Sequence, residues 1–334
     1  MPSSASSVTT AFAARRRALA RHVQSPTRVG QIVLGVFWFV DGLLKLQPYF
    51  AHHFVSGVID PNAIGQPAPV ADVITWVAGV IAPHQELFAL LAAASECAIG
   101  VALLVRRTVT PALVVSFAWA VNIWLTGEGF GGLFTGTAPT PLTGVIGTAP
   151  LYIIAGLLVW PRAARGGNTD RGPGLLGAVG ARVVWAALWL GAATLWLLPA
   201  NAGGDALRSA FDSAPSGAGW LTSLHSAVAG AVGGSGTTIT VVLAVVSAEI
   251  GLCVLWARGA RIALLCSIPI SLAFWLLAEG FGGLLTGQAT DVGTAPLMIL
   301  IAALLLPVAQ RSAPAAARAQ MASAHAADQT VSRA

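Results

Sequence analysis

The 334-residue chain carries very little charge. Only 9% of its residues are Asp, Glu, Lys or Arg, whereas 56% are hydrophobic and the mean hydropathy is +0.76. Soluble domains contain about 25% charged residues, so this composition excludes an ordinary soluble protein, because too few charged side chains are present to cover its surface. It predicts a multi-pass membrane protein, and the length accommodates eight spans of about 20 residues each.

The chain also has few residues suited to disulfide or metal chemistry. Its three cysteines, Cys97, Cys253 and Cys266, all lie in apolar runs, with no CxxC pair and no histidine at ligand spacing. We interpret them as buried small apolar residues. Three histidines fall between residues 49 and 84, but their spacing matches no familiar ligand pattern. The sequence therefore contains no metal motif, and we interpret these histidines as loop or interfacial residues.

The positive charge is unevenly distributed along the chain. The net charge is +5, yet 16 of the 18 lysine and arginine residues fall in segments that we assign to the cytoplasmic side. This bias is typical of an inserted helical protein and does not indicate a nucleic-acid-binding face. Both termini are therefore predicted to be cytoplasmic. Residues 1–27 lack the apolar core of a secretory signal and resemble either a disordered tail or an organelle transit peptide.

Two nearly identical stretches organise the rest of the sequence. Residues 128–136 read EGFGGLFTG and residues 279–287 read EGFGGLLTG, and a tryptophan precedes each glutamate by four residues. GTAPL occurs at 147–151 and again at 293–297. We therefore predict two copies of one unit. Because four spans per half is an even number, the predicted fold is an all-α membrane protein with eight transmembrane helices as two parallel four-helix repeats.

The predicted segments follow this duplication. A disordered cytoplasmic tail (1–27) precedes the first repeat (28–161), a cytoplasmic linker (162–181) leads to the second repeat (182–308), and a disordered cytoplasmic tail (309–334) follows. The predicted spans are 30–48, 86–105, 110–127, 144–160, 182–199, 237–257, 261–278 and 293–308. Outer segments at 49–84 and 200–236 follow the first span of each half, and 69–84 predicts an interfacial or re-entrant helix because it is too short to span.

Ionisable residues inside the apolar runs are candidates for function, because charge is costly in hydrocarbon. Asp41 and Lys45 lie four residues apart on one helix face, where they either neutralise each other or take part in binding or proton transfer. Glu96 and Glu249 lie in the second span of each half, where the alternative is a plain polar contact between helices. The second half has no counterpart of the Asp41 and Lys45 pair, so the first half is favoured as the active one.

The repeated turns supply the remaining candidates, which are Glu128 and Thr135 in the first copy and Glu279 and Thr286 in the second. Their glycines can adopt positive φ and let the backbone approach another element closely. One interpretation is a tight turn with the glutamate in water. The other is an outward-facing binding pocket lined by these glutamates, threonines and free backbone N–H groups. A phosphate loop is excluded because no lysine follows the glycines.

The first span, RVGQIVLGVFWFVDGLLKL, resembles the opening helix of DoxX-like membrane proteins, with an arginine at the inner edge, spaced glycines and a GxxK element near the outer end. The second span, with a mid-helix glutamate, small residues and then arginine, is also similar to that family. The resemblance covers about 28–161 and, more loosely, 182–307, while the EGFGG turn and the duplication depart from the pattern. The matching residues are Arg28, Gly42, Lys45 and Glu96 in the first half and Arg182 and Glu249 in the second.

The resemblance implies four-helix bundles and, for some members, association with quinone-linked or thiol and sulfur oxidoreductases. It leads us to expect a cell-membrane protein that acts as the membrane subunit of such a system, with quinone as cofactor and a redox partner protein, and it assigns no catalytic residue. The rival hypotheses are a carrier for a small solute or proton with its site at the repeat interface, and a scaffold without chemistry. A cleft open to lipid beside Asp41 and Lys45 would favour quinone, and a polar cavity joining Glu96 to Glu249 would favour transport.

Overall fold

The computed structural model describes residues 25–135, 140–143, 146–161, 173–256 and 258–309. Every regular element within these ranges is helical, which confirms the all-helical fold class there. The predicted tails lie outside the described residues except at their inner ends, and so does most of the predicted linker.

The first half begins with a capped helix. The side chain of Ser25 accepts a hydrogen bond from the backbone N–H of Arg28, and a proline follows at the first helical position, which is the usual chemistry of a helix start. The first helix therefore starts four residues earlier than predicted. The α-helices described in this half are α1 (Pro26–Leu44), α2 (Pro48–His53), α3 (Ala68–Ile81), α4 (Gln85–Leu104), α5 (Val109–Thr126) and α6 (Thr148–Val159).

The second half has more helix than the sequence patterns predict. Its outer segment at 200–236 contains three helices, and its first helix takes in residues 177–181, which had been assigned to the linker. The α-helices described here are α7 (Gly177–Trp196), α8 (Pro199–Ala202), α9 (Gly204–Asp212), α10 (Gly219–Val232), α11 (Gly236–Cys253), α12 (Ala260–Leu277) and α13 (Thr294–Ala309).

Six helical stretches among the described residues are long and apolar enough to cross a membrane, so the chain is a multi-pass membrane protein. Two of these stretches combine an outer helix with the span that follows it. The helices α6 and α13 are apolar but shorter, between 10 and 17 residues, so the count of eight spans stays a prediction. The six stretches are Pro26–Leu44, Ala68–Leu104, Val109–Thr126, Gly177–Trp196, Gly219–Cys253 and Ala260–Leu277.

Close packing of α1 against α4 positions the charged residues of the first half. A Cβ atom added to Gly100 would lie 2.6 Å from the carbonyl oxygen of Gly35, and one added to Gly42 would lie 2.6 Å from Cys97 Sγ. Small residues at a membrane helix interface let two backbones approach in this way. Because the two helices run so close together, side chains near the end of α1 reach the middle of α4.

Candidate functional site

An ion pair joins the end of α1 to the middle of α4. Lys45 Nζ donates to Glu96 Oε2 at 2.7 Å and to the carbonyl oxygen of Thr290 at 2.6 Å. The indole N–H of Trp119, on α5, donates to the other oxygen of Glu96 at 3.1 Å. Glu96 is completely buried and the Lys45 side chain is 11% exposed. Lys45 thus pairs with a carboxylate from another helix and not with Asp41, its neighbour one helical turn away.

Asp41 is buried and is held by hydrogen bonds. Its Oδ2 accepts from the hydroxyl of Tyr152 on α6, and its Oδ1 accepts from the backbone N–H of Val292 at 3.1 Å. The Tyr152 ring packs on Trp38, with 4.2 Å between the ring centroids. Aromatic packing and two donors therefore fix the carboxylate in one position.

The segment just before α13 brings backbone groups and a carboxylate from the second half to this cluster. Asp291 accepts hydrogen bonds from the backbone N–H of Gly293 at 2.8 Å and from the Thr290 hydroxyl at 3.0 Å. It lies in the cavity lining together with Asp41 and Lys45. Our sequence interpretation missed Asp291 and Tyr152. The one sequence signal for Asp291 is that it stands before the second GTAPL, where the first copy has Val145.

A cavity of about 510 Å³ lies beside the ion pair. Trp76 in its lining is 69% exposed, and the lining residues Val80 and Leu91 are also exposed, so the cavity opens through apolar side chains of α3 and α4. Four of the predicted site residues, Asp41, Lys45, Glu96 and Glu128, are in its lining. Aromatic side chains form much of the wall, namely Trp38, Phe50, Phe54, Trp76, Phe88, Trp119 and Tyr152.

The glutamate of each repeated turn binds the start of the next apolar helix. Glu128 accepts from the backbone N–H groups of Thr148 and Ala149, both at 3.0 Å, and from the Thr148 hydroxyl. Glu279 accepts in the same way from the backbone N–H of Thr294 at 3.0 Å and from its hydroxyl. The first N–H groups of a helix have no partner within the helix and favour a negative group. Each glutamate therefore caps a helix and does not project into water.

The tryptophan ahead of each glutamate belongs to the same arrangement. Trp124 Nε1 donates to the carbonyl oxygen of Ile146 at 2.7 Å, and its ring meets Phe130 edge-on at 5.0 Å. In the second half, Trp275 donates to Val292 at 2.9 Å and meets Phe281 edge-on at 5.1 Å. We call each set of tryptophan, glutamate, phenylalanine and the glycine and threonine of GTAPL a helix-end latch.

The glycine of each helix-end latch cannot be replaced without strain. Gly147 has φ +85° and Gly293 has φ +87°, a backbone conformation that residues other than glycine rarely adopt. A Cβ atom at Gly147 would overlap Glu128, and one at Gly293 would overlap Glu279. The close approach of a carboxylate to a helix start thus explains why glycine occupies both positions.

The threonines of the repeated turns have a local role. The Thr135 hydroxyl donates to the carbonyl oxygen of Gly132 at 2.9 Å, and that of Thr286 donates to Gly283 at 2.7 Å. These bonds close the turns that contain them. Neither threonine lies in the lining of the cavity beside Lys45.

Glu249 lies apart from the other carboxylates. Its side chain is on the exposed surface of α11, outside the cavity beside Lys45. The two repeated turns align the halves of the chain, because Glu279 follows Glu128 by 151 residues. The residue 151 positions after Glu96 is the buried Ser247, which is therefore its structural counterpart. Glu249 is two positions further on, and two residues turn an α-helix by about 200°. The carboxylate therefore faces away from the helix interface.

Burial raises the pKa of both capping glutamates. It moves the pKa of Glu128 and of Glu279 to about 7, although hydrogen bonds from Thr148 and Thr294, respectively, act in the opposite direction. The negative charge of Asp291 adds to the upward shift in both. Near neutral pH each helix-end latch therefore has protonated and ionised forms of similar free energy.

No family model, curated protein or solved structure matches this chain. The resemblance to DoxX-like proteins therefore stays a prediction based on the motifs of α1 and α4. Within the described ranges, no three His, Cys, Asp or Glu side chains are grouped as metal ligands. The cavity beside Lys45 and its charged groups are consequently the basis for the proposed function.

Proposed function

We propose that this cell-membrane protein binds a lipid-soluble ring compound of the quinone class in the cavity beside Lys45. It would act as the membrane subunit of a redox system whose electrons come from a partner protein. We further propose that α6 and α13 complete eight spans, arranged as two parallel four-helix repeats with both termini cytoplasmic. The matched helix-end latches, one in each half, support the duplicated arrangement.

The cavity beside Lys45 is the observation that carries this proposal. It combines an opening through the exposed apolar side chains of Trp76, Val80 and Leu91 with a largely buried ammonium group in its lining. A molecule dissolved in the bilayer could enter sideways, whereas a charged water-soluble substrate would first have to cross an apolar surface. Such lateral access was the geometry expected for a quinone site.

The lining suits the two chemical parts of a quinone. Aromatic side chains such as Trp38, Phe54 and Phe88 can pack against a flat ring. An ammonium group has three N–H donors, and Lys45 uses two of them on Glu96 and Thr290. The third can donate to a ring carbonyl. The charge of Lys45 would stabilise negative charge on that oxygen as the ring is reduced.

A binding experiment tests this function. Purified protein in lipid nanodiscs is titrated with decylubiquinone, and with an alkylbenzene of the same chain length that lacks the carbonyl groups, while tryptophan fluorescence is measured. We expect the quinone to bind at least tenfold more tightly than the alkylbenzene. The double variant Lys45→Met with Glu96→Gln, which removes both charges together, should abolish that preference.

Glu249→Gln is the matched control, because it removes a carboxylate from an apolar helix outside the cavity. It should bind decylubiquinone as the unmodified protein does. Equal affinity of all variants for both compounds would contradict the proposal. The carrier hypothesis is less well supported, because the exposed position of Glu249 does not fit a polar path from Glu96.

A further inference from the structure

A second cavity, of about 570 Å³, lies on the other side of α6. The helix forms the wall between the two cavities, because Tyr152 lines the first and Leu151 and Ile154 line the second. The remaining lining includes residues of α7 and α13. The second cavity is thus built largely by the half of the chain that lacks the buried ion pair.

The second cavity has uncharged residues where the first has charged ones. When the two halves are aligned with an offset of 151 residues, the second half has Ala192 at the position of Asp41, Trp196 at that of Lys45 and Ser247 at that of Glu96. All three replacements line the second cavity. Glu279 is also in the lining, but its carboxylate is held by hydrogen bonds from Thr294 at the start of α13. The cavity therefore offers no free charge to a ligand.

The lining of the second cavity follows α7. Its lining runs from position 184 to position 196, which corresponds to about 18 Å along a helix axis. Ala187 and Thr194 in the lining are exposed, so the cavity opens along the side of an apolar helix. A laterally open space of this length that offers no free charge suits a flexible hydrocarbon chain.

We propose that the second cavity binds the hydrocarbon chain of a membrane lipid or a free fatty acid, with the chain lying along α7. This site is separate from the quinone site and does not depend on it. Binding moves the hydrocarbon chain of the ligand out of loosely packed surroundings. It also fills a cavity whose lining side chains would otherwise lack packing partners. The volume lies within the range of ligand pockets in proteins, about 300–1,000 Å³.

Photolabelling tests this site. The full-length protein in nanodiscs is irradiated with a diazirine analogue of palmitic acid or with a phosphatidylcholine that carries the diazirine on one acyl chain. Labelled peptides are then mapped by mass spectrometry. We expect one or both probes to label residues 184–196, and which probe labels identifies the source of the chain. If neither labels α7, the proposal is overturned.

Gly191→Leu provides the blocking variant. Gly191 lines the cavity, and a Cβ atom added to it meets nothing within 4 Å, so a leucine side chain would occupy the cavity. Labelling of 184–196 should fall at least tenfold. Gly230→Leu is the control, because Gly230 has equally open surroundings on α10 but is not in the cavity lining. Its labelling should match that of the unmodified protein.

Unchanged labelling of 184–196 in Gly191→Leu would overturn the proposal, since the label would then come from the outer surface of α7. Ala187→Leu, at the cavity opening, serves as a second blocking variant if Gly191→Leu folds poorly. Both blocking variants should bind decylubiquinone within twofold of the unmodified protein. Failure of the lipid site is thereby distinguished from failure of the quinone site.

Discussion

Lys45 and Glu96 neutralise each other in a buried environment, where either charge without its partner would be costly. An ion pair removed from water loses hydration, and its attraction compensates for that loss only when both partners are present. Trp119 and the carbonyl oxygen of Thr290 supply the further hydrogen bonds that the pair needs. Removing one member therefore harms the fold more than removing both.

We expect Lys45→Met to lower the free energy of unfolding by about 3 kcal/mol, because it leaves the Glu96 carboxylate buried without a counter-ion. The double variant with Glu96→Gln should recover more than half of that loss, because no uncompensated charge remains. Thermal unfolding of the purified protein in detergent, followed by circular dichroism, measures both values.

Glu249→Gln provides the comparison for this double-mutant cycle. Its exposed side chain leaves no buried partner behind, so the change in stability should stay within about 0.5 kcal/mol. Losses from Lys45→Met and Glu96→Gln that simply add together would show that the two side chains do not stabilise each other.

At the scale of helices, the helix-end latches join consecutive elements. Each one connects the end of a long apolar helix to the start of a shorter one, α5 to α6 and α12 to α13, through a capping glutamate. The capping bonds replace partners that the first turn of a helix lacks. The repeated motif therefore has a structural role in both halves, whereas the buried charges of Asp41, Lys45 and Glu96 are not repeated.

The helix-end latch at Glu279 should make stability depend on pH. Its pKa rises from 4.5 to about 7 on folding, so between these values the folded protein holds a proton that the unfolded chain has released. Stability should therefore fall as pH rises through this window, by up to about 1.4 kcal/mol per pH unit, and level off above it. Glu279→Gln should remove this contribution.

Chemical unfolding in detergent at pH 5, 6, 7 and 8 measures the effect as the difference between the unmodified protein and Glu279→Gln. Gln288→Ala is the control, because it changes an exposed side chain close to the same turn without adding or removing a titratable group, so its difference from the unmodified protein should not vary with pH. A difference for Glu279→Gln that is constant from pH 5 to pH 8 would refute the assigned linkage.

Helix positions were largely predictable because an apolar run is a local property. The predicted bounds of α4, α5, α12 and α13 each agree with the structure to one residue. The WLTSLHSAVAGAV run of α10 resembles residues 73–84 of the predicted outer helix in the first half, whereas the outer helices α8 and α9 were missed. Their sequences are short and interrupted by glycine and proline, so contacts with neighbouring helices, such as those of Leu207 and Phe211 in a buried apolar cluster, stabilise them.

At the scale of the whole molecule, hydrogen bonds connect the two halves of the chain. Thr290 and Val292 from the second half bind Lys45 and Asp41 in the first. The shorter helices α6 and α13 are buried along much of their length. Many of their side chains therefore contact protein, which is compatible with the proposal that both helices cross the membrane despite their shorter length.

The proposed topology makes a direct prediction about sidedness. In a cysteine-free background, Leu133→Cys and Leu284→Cys, which lie in the two repeated turns, should react with a membrane-impermeant maleimide added outside intact cells. Arg107→Cys, at the predicted cytoplasmic side, should react only after the cells are permeabilised. Cytoplasmic labelling of either turn would rule out two repeats that face the same way.

The sequence alone determined that this is a helical membrane protein with costly charges in its first half, because composition and the cost of charge in hydrocarbon can be read from a linear chain. It also pointed to Asp41, Lys45 and Glu96. Only the tertiary structure decided their partners. Lys45 contacts Thr290, 245 positions further along the chain, and Asp41 contacts Val292, 251 positions further along, because the segment before α13 crosses to the other half. No local sequence pattern encodes these contacts. Which face of α11 carries Glu249 was likewise set by packing.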